Sequence, residues 1–205
     1  FAEYARTHAA FYLHDLCSLS ARIGLDHWHD RRQFHAYKLV PAYHCIPDVA
    51  WSIGALIKAI LGQMKKCLVL DLDDTLWGGV IGDVGVDGIE LGHETARGEA
   101  YLEVQSYMRS LQQRGIILAV CSKNEESAAK SGFSHPDSVL RLEDFASFHA
   151  SWRSKDESIR LIANEIGIGL DSIVFLDDNP VERALIREQL PMVTVPEISS
   201  SNVFG

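Results

Sequence analysis

Three short apolar runs, each broken off abruptly by polar residues, constrain this chain more than any other feature. Cys67-Leu68-Val69-Leu70 runs into Asp71-Leu72-Asp73-Asp74-Thr75, Ile116 to Val120 into Cys121-Ser122-Lys123-Asn124, and Ile173 to Leu176 into Asp177-Asp178-Asn179-Pro180. A continuous apolar run of this length reads as a strand buried on both faces, as in a parallel sheet. Helical periodicity fills the gaps. Glu94 to Arg114 puts Tyr101, Val104, Met108 and Leu111 on one face and stops at Gly115, while Lys155 to Ile166 is amphipathic and ends near Gly167 and Gly169. A Glu- and Ala-rich helix after Asn124, a helix over Glu182 to Gln189, and short strands at Val139 to Leu142 and Met192 to Val195 complete the alternation. Strands alternating with helices predict an α/β fold built on a doubly wound parallel sheet.

Ligands of open parallel sheets bind outside the carboxyl ends of the strands, where these polar segments lie. Side chains two apart on an extended segment point the same way, so Asp71 and Asp73 converge on one space. Close carboxylates repel, and oxygen ligands beside a phosphate substrate favour Mg²⁺. Asp177 and Asp178 arrive from another strand end to complete the metal shell. A helix-capping cluster would also use Asp and Thr, but the acidic pair recurs on a second strand. A calcium loop of EF-hand type needs Gly sixth and Glu twelfth; counted from Asp71 those positions hold Leu76 and Gly82.

The 205 residues suffice for one full α/β domain and a smaller element, and 47% apolar content excludes general disorder. No apolar run approaches the ~18 residues of a membrane span, and no secretory pattern opens the chain. The first residue, Phe1, falls in mid-pattern, as in a fragment of something longer. A net charge of −9, with only isolated basic pairs (Arg31-Arg32 and Lys65-Lys66), argues against nucleic-acid and membrane partners. Cys17, Cys45, Cys67 and Cys121 form no CxxC pair and read as reduced thiols of a cytoplasmic protein.

The expected organisation is an N-terminal segment over 1–65, of small α/β or helical character, a catalytic domain over 66–196 and a tail over 197–205. In the first block a short strand at Ala9 to Leu13 precedes a helix ended by Gly24. A mostly buried helix follows over Asp48 to Gln63, with Asp48 as its N-cap. The block holds six of the nine histidines: His8, His14, His27, His29, His35 and His44. A zinc site from His27, His29 and His44 fits no standard spacing.

LVLDLDDTLW resembles the first motif of the haloacid dehalogenase superfamily, and the other three motifs follow in order. Ser122 after ILAVC matches the second, Lys155 in WRSKDESI the third, and IVFLDDNP the acidic fourth. The resemblance implies that Asp71 attacks phosphorus and carries an aspartyl-phosphate. Asp73 would protonate the leaving oxygen and then activate water. Ser122, Lys155 and Thr75 would bind the phosphoryl group. Mg²⁺ would sit between Asp71, the Asp73 backbone carbonyl and Asp177, with Asp178 in support.

DLDDTLWGGVIGD, LAVCSKN, LRLEDFA and FLDDNPVER together resemble the FkbH-like proteins of polyketide biosynthesis, over about Lys66 to Glu197. That resemblance implies dephosphorylation of 1,3-bisphosphoglycerate, a phosphorylated three-carbon compound, and transfer of the glyceryl group to an acyl carrier protein. Many relatives have Asn where this chain has Asp74, and larger ones carry an acetyltransferase-like region after this domain. Cys121, ending a strand beside Ser122, is expected to face the same mouth and to carry the acyl group. Cys67, at the start of the Asp71 strand, is the weaker candidate.

Carrier proteins are usually acidic, so docking needs a basic patch: Arg31, Arg32 and Lys38, or Arg153 and Lys155. The Gly-rich stretch after Trp77 is expected to act as a small lid. Asp26-His27-Trp28-His29 resembles the Asp-x-x-His end of SGNH-type esterases, without the Ser-containing block that would precede it. Two rival functions stand beside glyceryl transfer: plain hydrolysis of a small phosphate ester with Cys121 structural, and a non-catalytic carrier-binding module.

Overall fold

A computed structural model describes residues 2–9 and 11–198. The chain divides into two compact units, Phe1–Met64 and Lys65–Gly205. No helix among the described residues is long and apolar enough to cross a membrane.

The first unit is helical: α1 (Ala2–Thr7), α2 (Leu16–Ile23), α3 (Leu25–Trp28), α4 (Arg31–Tyr37) and α5 (Ile46–Ile60). Asp15 and Asp30 cap α2 and α4 by accepting backbone N–H bonds. The strand expected at Ala9 to Leu13 is absent from the described part of that segment. Helix α5 differs from its expectation in two ways. Asp48 lies in its first turn behind Pro47 instead of capping it, and none of its residues is buried. Among the described residues, the unit's core is Leu19, Trp28, Ala42 and Cys45, flanked by Ile23 and Val49. So small a core receives one edge of a helix that is apolar on most sides.

The second unit holds the sheet. Strands β1 (Cys67–Leu70), β2 (Ile117–Ser122), β3 (Phe145–Ala150) and β4 (Ile173–Leu176) are all parallel, in the order β3-β2-β1-β4. The doubly wound parallel fold expected from the sequence is the fold observed. After β1 the chain winds outward to β2 and β3, then crosses back to place β4 on the other side of β1. The crevice between β1 and β4 is therefore the topological switch point, where such sheets bind ligands.

Alternation of side chains along β1 and β2 divides the core into two layers. Leu68, Leu70, Leu118 and Val120 face α7 (Ala96–Gln113), packing with Tyr101, Leu102, Met108, Trp77 and Phe133. Cys67, Val69, Ala119 and Cys121 face the opposite side, with Ile159 and Ile162 of α9 (Lys155–Ile166) and Ile186 of α10 (Pro180–Gln189). Thr95 caps α7 through the Gly98 amide at 2.9 Å. Gly167 ends α9 in a left-handed conformation, φ 74°.

Two expected strands are not strands. Val139 to Leu142 forms no ladder, because the fully buried Gln105 takes the amides of Val139 and Leu140 at 2.9 and 3.1 Å. The true edge strand is the next segment, FASFHA, whose polar Ser147 and His149 conceal it; both bond to Glu165. Met192 to Val195 supplies only an isolated bridge, Thr194 to Val174.

Between β1 and α7 the Gly-rich stretch folds into a short helix α6 (Ile81–Val84) and a 3-10 turn. Its ends are tied by paired backbone bonds between Gly78 and Glu90, 3.0 and 2.9 Å. A Cβ on Gly78 would lie 2.8 Å from that of Glu90, so the close approach excludes a side chain there. Helix α8 (Glu126–Ser131) follows β2.

Candidate functional site

The ends of β1, β2 and β4, with the start of α9 and of α10, enclose a cleft of about 440 Å³. Asp71, Asp73, Asp74, Ser122, Lys155 and Asp178 line it, with Lys123, Trp152 and Glu182 on its walls. Asp71 continues the parity of Cys67 and Val69, which points it to the α9 side. There the first residue of α9, Lys155, meets it.

Lys155 is 3% exposed, with its Nζ 3.0 Å from Asp71 Oδ2 and 2.5 Å from Asp177 Oδ2. Burial alone would lower its pKa, but the charges of Asp71 and Asp177 more than offset this and the net shift is upward. Lys155 stays an ammonium. Burial pushes the Asp71 carboxyl up to about 6 despite the attraction of Lys155. Asp178 is also raised, by burial and then by the charge of Asp177.

Asp71, Asp177 and Asp178 each offer a carboxylate oxygen within 4.8 Å of the others. One ammonium faces three carboxylates, and Asp71 Oδ1 is buried without a hydrogen-bond partner. A buried orphan oxygen beside excess negative charge fits a divalent cation.

Asp73 sits differently. Its Oδ1 accepts from Trp77 Nε1 at 2.9 Å and from the Ile81 amide at 3.1 Å, and its Oδ2 accepts from Asn124 Nδ2 at 3.0 Å. The Asp73 carboxylate is thus held by three donors and does not converge with that of Asp71 in the acidic trio; the metal contact expected of Asp73 is its backbone carbonyl. Burial raises its pKa, opposed by the bonds from Ile81 and Trp77. Ser122, the last residue of β2, is buried and lines the cleft.

Thr75 is buried, and its Oγ1 accepts from the Asp178 amide at 3.3 Å. It ties the β1 end to the β4 end. One residue departs from its expected role. Cys121 does not face the mouth. Its parity is that of Ala119, so its thiol lies in the layer under α9, 1% exposed, donating to the Lys155 carbonyl at 3.8 Å. Burial pushes that thiol up to about 12. Cys67, in the same layer, is likewise pushed up to about 12 by burial.

Sequence reasoning passed over three residues that hold the site together. Asn124 is 5% exposed; its Oδ1 accepts from the Glu125 amide, which fixes the Nδ2 toward Asp73. Arg183 donates to the carbonyls of Asp177 and Asp178 at 2.8 and 2.6 Å, strapping the β4 end. Arg97 joins Asp74 to Glu90 at 3.0 Å each, which pins the Gly-rich loop to the β1 end. Asn124 had a signal, an amide directly after an apolar strand. The two arginines had none, because each acts across a fold contact.

Among solved structures, the N-terminal part of the protein BF1531 from Bacteroides fragilis, containing a phosphatase domain complexed with Mg, matches with a TM-score of 0.92 and 40% identity. The match covers 99% of this chain and 55% of that one, so the chain spans about half of the relative's length. The two share one fold. A haloacid dehalogenase (HAD) family enzyme, bt-2542 from Bacteroides thetaiotaomicron, in complex with magnesium and inorganic phosphate, matches at TM-score 0.44 and 14% identity, over 68% of this chain and 99% of that one. A predicted HAD-like hydrolase from Porphyromonas gingivalis matches at 0.45 and 14%, over 67% and 92%. No protein-family model matches the chain, and no curated protein does.

Proposed function

We propose that this chain is a magnesium-dependent phosphatase-type enzyme of the haloacid dehalogenase kind, acting on a small phosphorylated molecule through Asp71. The observation that carries the reading is the unpartnered Oδ1 of Asp71, buried at the switch point between Lys155 and two further carboxylates. The magnesium-complexed phosphatase domain of the 40% identical relative supports it.

In this reading Asp71, the Asp73 backbone carbonyl and Asp177, with Asp178 in support, would hold Mg²⁺, which would supply positive charge to the phosphoryl oxygens. Asp71 attacks phosphorus, forming an acyl phosphate as the bond to the leaving oxygen breaks. Asp73 gives that oxygen its proton. Its three partners here are all donors, so none of them can take the proton that Asp73 passes to the leaving oxygen. Water then attacks the aspartyl-phosphate, Asp73 takes the water's proton, and phosphate and free Asp71 are released. Ser122 and Lys155 hold the phosphoryl oxygens. Lys155 also separates the like charges of Asp71 and Asp177.

The finer reading, from the FkbH-like resemblance, is removal of phosphate from 1,3-bisphosphoglycerate and transfer of the glyceryl group to an acyl carrier protein thiol. With Cys121 enclosed, the acceptor thiol belongs to the carrier, without a relay on this chain: its sulfur bonds to the C1 acyl carbon as the C1 phosphate leaves, and the chemistry at Asp71 removes the ester phosphate at C3. The four free cysteines suit a cytoplasmic location.

The test is release of phosphate from p-nitrophenyl phosphate and from 1,3-bisphosphoglycerate, with Mg²⁺ or with chelator. Wild type releases phosphate only with the metal, and Asp71→Asn loses at least about 10³-fold. Equal release by Asp71→Asn removes Asp71 as nucleophile. Intact mass of holo-carrier protein included in the second reaction reads glyceryl transfer, and an unmodified carrier rejects that finer step.

A further inference from the structure

The cleft walls hold an ion pair that the chemistry at Asp71 does not use. Five carboxylates line the cleft, those of Asp71, Asp73, Asp74, Asp178 and Glu182, against the two cations Lys123 and Lys155. Lys155 is committed to Asp71 and Asp177 and is 3% exposed. Among the described residues, that leaves Lys123 as the solvent-exposed cation lining the cleft. Its side chain is 39% exposed and its Nζ lies 2.6 Å from Glu182 Oε1.

Glu182 is an unusual partner for a surface lysine. It is 9% exposed, and its Oε2 is buried with no hydrogen-bond partner. A glutamate in the first turn of α10 could have its charge solvated freely. Here it is enclosed and its charge falls on Lys123. That contact holds a long, flexible side chain at the cleft wall, next to Ser122. Trp152, 71% exposed, lines the cleft as well. A large aromatic left in solvent beside a held ammonium makes a surface for a short carbon skeleton that ends in an anion.

We propose that Lys123 and Glu182 form the leaving-group subsite. Its substrate class is a small phosphorylated compound with a second anion, a carboxylate or a further phosphate, on the part that leaves. This rests on the phosphatase reading above. A second anion without Lys123 would face an acidic cleft unaided, so Lys123 decides whether such substrates bind.

The experiment compares kcat/KM, with Mg²⁺, for matched substrates: glycerol 3-phosphate, 3-phosphoglycerate (carboxylate arm) and glycerol 1,3-bisphosphate (phosphate arm). At least one charged analogue should exceed glycerol 3-phosphate by about 10-fold or more, and the arm that does so names the anion. Lys123→Gln should lose about 10- to 100-fold on that substrate through KM, with a loss at least about tenfold smaller on glycerol 3-phosphate. Lys123→Arg, which keeps the charge, should recover most of it. Equal use of all three substrates, or a Lys123→Gln loss uniform across them, overturns the proposal. Failure of the phosphatase reading shows separately, as absence of Mg²⁺-dependent release from p-nitrophenyl phosphate, and it overturns the subsite with it.

Discussion

Lys155→Met removes the ammonium between Asp71 and Asp177 while keeping most of the side-chain volume. In the wild type that ammonium lies 3.0 and 2.5 Å from the two carboxylates, which are 7% and 0% exposed. Removing one partner of a buried ion pair leaves the other uncompensated, at about 3–5 kcal/mol. Two stranded carboxylates put this protein at the upper end, unless they escape by taking up protons. Asp71 already stands at about 6 against an ordinary 3.8. A folded-state pKa above the unfolded one gives stability that is present at low pH and lost as pH rises through the folded value. For the wild-type group that loss runs from about pH 4 to pH 6. Lys155→Met lifts the folded pKa further and carries the loss into the neutral range. The mutational cost should therefore be small at pH 5 and full at pH 8.

Thermal or urea unfolding at the two pH values, with and without Mg²⁺, reads this directly. Without metal at pH 8, about 3–5 kcal/mol corresponds to a Tm drop of about 6–20 °C for a chain of this size. Mg²⁺ should restore part of the drop, because it replaces the missing positive charge. A cost below about 1 kcal/mol at pH 8, or equal costs at the two pH values, would refute the reasoning, since it rests on buried, uncompensated charge.

Gln105→Leu keeps the volume but strands the Leu76 carbonyl and the Val139 and Leu140 amides, all bonded to the fully buried Gln105. Each stranded group costs about 1–3 kcal/mol; an unfolding free energy lowered by less than about 2 kcal/mol would count against that accounting. A thiol-reactive dye at pH 8 should label one cysteine fast in the native protein, the exposed Cys17, and all four after denaturation. Fast native labelling at Cys121 would contradict its enclosure beneath Lys155.

How much of this was legible in the sequence can be judged residue by residue. The strands β1, β2 and β4 were legible because each is a continuous apolar run whose burial on both faces needs no partner to be named. Helix α9 was legible at its full length, from Lys155 to the glycine that ends it. The convergence of Asp71, Ser122 and Asp178 followed from strand ends meeting at one edge of a parallel sheet, whereas Lys155, at the start of α9, entered only through the motif resemblance. The edge strand β3 was not legible, since an edge needs only partial burial and tolerates Ser147 and His149.

Side-chain direction at the site divides along the same line. The parity of Cys121 was available in the sequence, where it shares the register of Ala119, but which layer that parity faced was settled only by where α9 packs. Asp73 was expected beside Asp71 by the two-residue rule. That rule holds only while the chain stays extended, and a turn closes on Leu72, whose carbonyl accepts the Thr75 and Leu76 amides at 3.1 and 2.7 Å. The strand-end composition therefore determined which residue types gather at the cleft. Only the tertiary structure decided which carboxylates lie together, which thiol is sealed, and that Arg97, Asn124 and Arg183 hold the site together. Those three act through contacts between segments distant in sequence or through a turned backbone, and neither leaves a periodic trace in the chain.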